Sequence, residues 1–324
     1  MSSPSATLVA GEAAVAADSP RQPRSPRRNS ARFFPLWLLT PAGIVMIALV
    51  IVPIAFLLFT SFTDYDQRSL FTGEFSIVGF QQYVTIFTDP DFWWAIIRTI
   101  LFTAAMVLGT IAIGMGISQL LTRLGTTMKY ILTIVLVFAW AMPTVASSQI
   151  WNWLFQPGYG VVNWMLTQLH IFGDMTNAAW ANNAFLAYTC IWLLIVWGGV
   201  PFIALTMYAA QSQVDPAYIE AARLDGASEA RIYWTIVLRF LKPTLLLVTI
   251  LSVIWDFNVF NQIWLVSQGG PNNATSTIGI WAYKTAFVST HVGTGAAITV
   301  VATIMLLALT GLYIRNLLKS GEEL

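Results

Sequence analysis

The 324-residue chain is 57% hydrophobic and only 10% charged, with 14 Trp and 20 Phe, which is more apolar surface than a soluble domain of this length can bury. Its formal charge of +1 gives no sign of nucleic-acid binding, and its single cysteine, Cys190, excludes an intrachain disulfide. The composition describes an all-α integral membrane protein, and the information lies in where the few charges fall.

The first 32 residues are rich in Ser, Pro and Ala, carry Arg21, Arg24, Arg27, Arg28 and Arg32, and lack apolar periodicity. They read as a disordered basic tail held on the cytoplasmic side. A signal peptide does not fit, because the apolar run that follows is too long for an h-region and no small-residue site closes it. Residues 33–319 read as one transmembrane domain and 320–324 as a short tail. Six apolar runs follow one another: Phe34 to Phe62, Ile96 to Leu121, Tyr130 to Ile150, Ala184 to Tyr208, Leu241 to Val266, and Gly295 to Ile314. Each has about the 20 residues that a spanning helix needs. Pro41, Pro53, Pro143 and Pro201 interrupt them, and such breaks are tolerated beside a cavity and often mark a pathway. With the N-terminus inside, Arg123, Lys129, Arg223, Arg231, Arg239, Lys242, Arg315 and Lys319 all fall on the cytoplasmic side. Only Arg68, Arg98 and Lys284 lie on or near the outside, and the outer segments instead carry Asp64, Asp66, Glu74, Asp89, Asp91 and Asp174. This asymmetry predicts six spans with both termini cytoplasmic, in the cell membrane.

Between the fourth and fifth runs lies Asp215 to Pro243, DPAYIEAARLDGASEARIYWTIVLRFLKP, a long polar stretch with helical patterning. Asp215 is an N-cap with Pro216 at the first helical position. Asp225-Gly226 breaks the helix, and Ser228 caps a second one. The expectation is two short helices joined by a Gly elbow on the membrane surface. Ala221 and Ala222 should leave the first nearly bare, so that another protein can approach it closely.

Glu220-Ala221-Ala222, Gly226 four residues later, and then Ile236 and Leu238 resemble the EAA loop of ABC importer permeases. The pattern departs at Arg239, where the family usually has Pro; Pro243 follows and is placed to end or kink the helix. Val78-Gly79-Phe80-Gln81-Gln82-Tyr83, Trp153-Leu154-Phe155 with Gly158-Tyr159-Gly160 and Asn163, and the loop from Ser267 to Pro271 resemble carbohydrate permeases of the MalF-like group. Gln82 replaces their usual Asn. The resemblance runs from about Phe33 onward. It implies a type I importer fold with cytoplasmic coupling helices, in which Glu220, Ala221, Ala222, Asp225 and Gly226 dock onto ATPase subunits. It also implies the partners: a second homologous permease, two ATP-binding cassette ATPases that carry ATP and Mg, and an extracytoplasmic substrate-binding protein. The cargo would be a mono- or oligosaccharide, or a related polyol or sugar phosphate.

An enzyme is not expected. His170 and His291 stand far apart in sequence, and the chain has no metal-ligand spacing, nucleophile motif or phosphate loop. Energy for transport must therefore come from a partner. A stand-alone secondary carrier or channel is the alternative; it would want inverted repeats, and none is visible.

Asp256 is the charge out of place, inside the fifth run, where an acid costs about 2.5–3.5 kcal/mol at a helix centre unless it faces a cavity or partner. On a continuous helix Ser252, Asp256 and Val259 share one face, with Asn258, Asn261 and Gln262 adjoining. Carboxylates and amides flanked by Trp and Phe suit sugar hydroxyls and ring C–H faces. Matching residue to residue, the maltose-type resemblance implies sugar contacts from Ser252, Asp256, Val259, Gly199 and Phe202. Val259 stands for an Asn and Phe202 for a Tyr, each losing a hydrogen-bonding group. Two readings of Asp256 stand: it binds substrate, or it pairs with the partner permease and fixes packing. Gln149 and Asn152 are further pathway candidates.

Overall fold

The computed structural model describes residues 34–170 and 172–319; the basic tail 1–32 and residues 320–324 lie outside them. Five helices are long and apolar enough to cross a membrane: Leu39–Thr60, Pro90–Arg123, Ala184–Gln211, Glu229–Phe257 and Val292–Arg315. The bent pair Thr126–Ala141 and Thr144–Leu154 makes a sixth. All six expected runs thus appear as helix, and two of them differ in shape from the expectation.

The third span is not one rod. Its two halves meet at 100°, because Pro143 offers no N–H and drives Met142 into an extended conformation (φ −69°, ψ 128°). The fifth span starts earlier than expected and stops earlier. It runs from the elbow through Pro243 without ending there and closes at Phe257. Asn258 caps it, its Nδ2 donating to the Ile254 carbonyl at 2.8 Å, a local bond that competes with helix continuation. A separate helix, Asn261–Ser267, follows. Asp256 therefore sits in a last turn, not at a helix centre, and Val259 lies beyond the helix end.

The chain divides into two compact units, Met1–Pro53 and Ile54–Leu324. The described part of the first is helical, and its Leu39, Ile44 and Met46 are exposed, as a helix solvated by lipid chains requires. In the second unit the second and fourth spans pack along their lengths. Small residues allow this approach. A Cβ on Gly114 would sit 2.7 Å from Ile203, and Gly109 leaves room for the Trp192 ring, whose Nε1 donates to the Ala105 carbonyl at 2.9 Å. Phe102, Met106, Ile191, Ile195 and Ile263 fill the seam.

The end away from the elbow is tied by side-chain amides. Gln82 donates to the Thr63 carbonyl (2.9 Å) and accepts from Thr294 Oγ1 (2.7 Å). Asn163, 1% exposed, donates to the carbonyls of Gln156 and Ala178 (3.2 and 3.1 Å) and accepts from Trp180 Nε1 at 2.6 Å. The loop after the fifth span is closed by Ser267 and Thr275, whose hydroxyls lie 2.7 Å apart.

Candidate functional site

The elbow forms as its residues dictate. Asp215 Oδ1 accepts from the Ala217 N–H at 2.9 Å, and the helix Pro216–Leu224 follows. Gly226 turns the chain at φ +77°, a conformation that costs glycine nothing. Ser228 then accepts from the Arg231 N–H. Arg223 spans the turn, its Nε and Nη2 donating to the two Glu229 carboxylate oxygens at 2.7 and 3.2 Å, which pushes the Arg223 pKa still higher. Glu220, Ala221, Asp225 and Gly226 are exposed. Ala222 corrects the expectation of a bare face: it is buried against Met207, Ile232 and Val237. At 3.6 residues per turn, Ile219 and Ala222 point inward together and Leu224 points out; Leu224 is 90% exposed. The projecting surface is therefore Leu224 with Glu220 and Ala221 beside it.

A cavity of about 330 Å³ lies where two spans break. One break is at Pro143 in the third span, the other at Asn258–Phe260 after the fifth. Backbone freed from helix at membrane depth is tolerated where it lines such a cavity. All six residues expected to meet substrate line this cavity: Gly199, Phe202, Ser252, Asp256, Asn258 and Val259. Asn261 and Gln262 join them from the helix beyond. The shared face expected of one long helix is thus made by a helix end and the turn after it. Gln149 and Asn152 do not line the cavity; Asn152 donates to the Leu265 carbonyl at 2.7 Å and fastens two helices.

Aromatic faces make one wall. Trp140 stacks near Phe202 (6.4 Å, 22°), and Trp255 meets Phe202 edge-on at 5.1 Å. Trp140, Thr144, Ser147 and Thr110 were not among the expected residues. Pro143 was the signal for the first three, since a broken span turns its flanking residues toward the break. Thr110 reaches the wall because Gly199 opposite has no side chain; a Cβ there would stand 2.9 Å from Thr110 Cγ2. Among the described residues, neither Thr110 Oγ1 nor Asp256 Oδ2, both buried, has a hydrogen-bond partner. Leaving such an atom unpaired costs about 1–3 kcal/mol. Thr103 Oγ1, Ser276 Oγ and Thr277 Oγ1 are also unpaired but do not line the cavity. Elsewhere in the spans Thr99, Thr189, Thr249 and Thr299 satisfy their hydroxyls on the carbonyl four residues back.

Residues 110–320 match the model of the binding-protein-dependent transport system inner membrane component. The chain belongs to that family. It is the non-catalytic, multi-pass permease of a binding-protein-dependent ABC importer of the inner membrane, and this membership removes the stand-alone carrier. The permease is 38% identical to the diacetylchitobiose uptake system permease protein DasB of Streptomyces coelicolor, over 89% of this chain and 88% of that one. It is 31% identical to the sulfoquinovosyl glycerol transport system permease protein SmoG of Agrobacterium fabrum, over 88% and 90%. Its fold matches a chain of a bacterial alginate ABC transporter crystallised with an alginate pentasaccharide-bound periplasmic protein, with a TM-score of 0.74, 17% identity, and coverage of 87% and 93%.

Proposed function

We propose that the permease carries a sugar, and that the cavity between the two broken spans is its half of the path. One observation carries this reading. Gly199 and Phe202 come from the fourth span, Ser252 and Asp256 from the end of the fifth, and Asn258 and Val259 from the turn after it, and all line one cavity with Trp140 and Trp255. Polar groups set among aromatic faces match the alternation of hydroxyls and C–H patches on a pyranose. The uptake systems of the similar permeases, named for diacetylchitobiose and sulfoquinovosyl glycerol, support the same substrate class.

A second homologous permease completes the path, an extracytoplasmic binding protein delivers the sugar, and two ATPases holding ATP and Mg supply the work. Those ATPases dock on the elbow, where Glu220, Ala221, Asp225, Gly226 and the projecting Leu224 make the contact and buried Ala222 seats the helix. The elbow then faces the cytoplasm, as do both termini, consistent with the clustering of Arg123, Lys129 and Arg223 at that end. Residues 33–319 act as the permease domain, with 1–32 a cytoplasmic basic tail and 320–324 a short one.

The test is reconstitution of the permease with its co-purified subunits and binding protein in proteoliposomes, assayed with labelled N,N′-diacetylchitobiose, maltose and cellobiose. ATP-dependent uptake of at least one, lost in Asp256→Ala and Phe202→Ala, is the expected result. Uptake of an amino acid or inorganic ion while no sugar moves would sink the sugar reading.

A further inference from the structure

The cavity has an electrostatic character that bears on which sugars it passes. Among the described residues that line it, Asp256 is the one ionisable side chain. No Lys or Arg reaches the wall; Arg98 borders a different hollow, and Lys129 lies over the Tyr208 ring at 5.4 Å. An anionic group brought into this space gains no balancing cation from this chain's wall, whichever protonation state Asp256 holds. With Asp256 ionised it also meets a like charge in a medium of low dielectric, where repulsion is several-fold stronger than in water. Hydroxyl and amide N–H groups face the opposite situation. A carboxylate is an acceptor only, and a threonine hydroxyl both accepts and donates. Asp256 Oδ2 and Thr110 Oγ1 have no partner among the described residues, and Thr110 is 3% exposed, so neither is spent on holding the fold together.

We infer that Asp256 is a charge filter: this permease passes uncharged sugars rich in O–H or N–H donors and rejects sulfated, phosphorylated or uronic sugars, with Thr110 as a second hydrogen-bonding contact. The inference rests on the sugar-permease reading and narrows it. Thr110 belongs to the second span, outside the two stretches that carry the other contacts, and would add a point of recognition from a third direction.

Equilibrium dialysis on the purified importer in nanodiscs tests it. The probes are N,N′-diacetylchitobiose, maltose and cellobiose, each paired with its 6-O-sulfate, so that one charge is the difference. The wild-type importer should bind one neutral sugar at least tenfold more tightly than its sulfate. Asp256→Asn should weaken the neutral sugar by roughly tenfold, the usual consequence of losing a charge-assisted hydrogen bond, and should narrow the gap to the sulfate. Thr110→Val, nearly equal in shape, should weaken both partners of the pair by a similar few-fold factor and leave the gap intact. Equal binding of sugar and sulfate by the wild type would overturn the filter, as would an Asp256→Asn importer that discriminates as before. If no probe binds, neutral or charged, the sugar reading itself falls and takes this inference with it.

Discussion

Asn163 and Asp256 are two polar side chains withdrawn from water, and the fold treats them differently. Around Asn163 every requirement is met: two carbonyls accept from its amide, and the Trp180 indole donates to its oxygen. At Asp256 a buried oxygen has no partner among the described residues, and Thr110 across the cavity repeats the pattern. A satisfied buried group is scaffolding, since its removal strands several others. An unsatisfied one lowers stability where it stands, so its presence beside a cavity points to something outside the fold. Unpaired hydroxyls at Thr103, Ser276 and Thr277 lie away from the cavity, so it is the pairing of an unsatisfied group with the cavity wall that sets Asp256 and Thr110 apart.

Asn163→Leu leaves the buried Trp180 N–H without its acceptor and removes a donor from the Ala178 carbonyl, while the Gln156 carbonyl keeps the Gly160 N–H at 2.9 Å, so unfolding should become easier by about 1–3 kcal/mol. Thermal unfolding of the purified permease checks it, and a midpoint unchanged from wild type would end the scaffold assignment. Thr110→Val should act in the opposite direction. It replaces an unpaired hydroxyl by a methyl of similar shape, so stability should hold or rise, by up to about 1 kcal/mol, while sugar uptake falls. A loss of stability in Thr110→Val would show that the hydroxyl serves the fold after all.

Gly226→Ala tests the elbow, where exposure is high and scaffolding thin. A Cβ meets nothing within 4 Å there, so the cost is backbone strain at φ +77°, about 1 kcal/mol. The elbow should loosen with little effect on the spans. ATPase activity of the assembled importer should then lose its response to substrate before the membrane domain loses stability. Simultaneous loss of both would mean that the elbow is part of the core.

Much of this was legible in the sequence. Six apolar runs became six spans because bilayer thickness sets helix length. Asp215, Pro216, Gly226 and Ser228 took their expected positions because capping and positive φ are local properties. The six candidate contacts converged on one cavity. The breaks were harder to read. Hydropathy cannot see that Asn258 ends the fifth span, because the stop is made by one amide bonding its own helix. Nor can it see that Pro243 is absorbed while Pro143 bends its span by 100°; the difference depends on what packs around each. Thr110 was hidden because its position depends on Gly199 in another span. Ala222 was misplaced because an alanine on a short helix reads equally well as bare surface or as close packing.

The smallest effect concerns a second aspartate. Asp66 is the counterpart of Asp256 at the other extreme. Its Oδ1 accepts from the Ser69 N–H at 2.9 Å and from the Ser69 hydroxyl at 3.0 Å, and its own N–H reaches Ser69 Oγ. The Ser69 backbone N–H, then its hydroxyl, holds the Asp66 carboxyl below the usual range. A carboxyl lowered on folding stabilises the fold above its ordinary value, near 3.9, and that contribution disappears as pH falls through the lower, folded value. The wild-type permease should therefore lose part of its thermal midpoint through this cap as pH falls below about 4, the ordinary carboxyl value, through the lower folded one. In Ser69→Ala the hydroxyl is gone and the backbone donor remains, so the Asp66 pKa rises part-way and the acid-dependent drop becomes shallower. The reciprocal bond to the Asp66 N–H is also lost, so the midpoint at neutral pH should fall slightly as well. A Ser69→Ala profile parallel to wild type would mean that the hydroxyl does not bear on the carboxylate, and that the contrast between a fed aspartate and an unfed one rests on Asp256 alone.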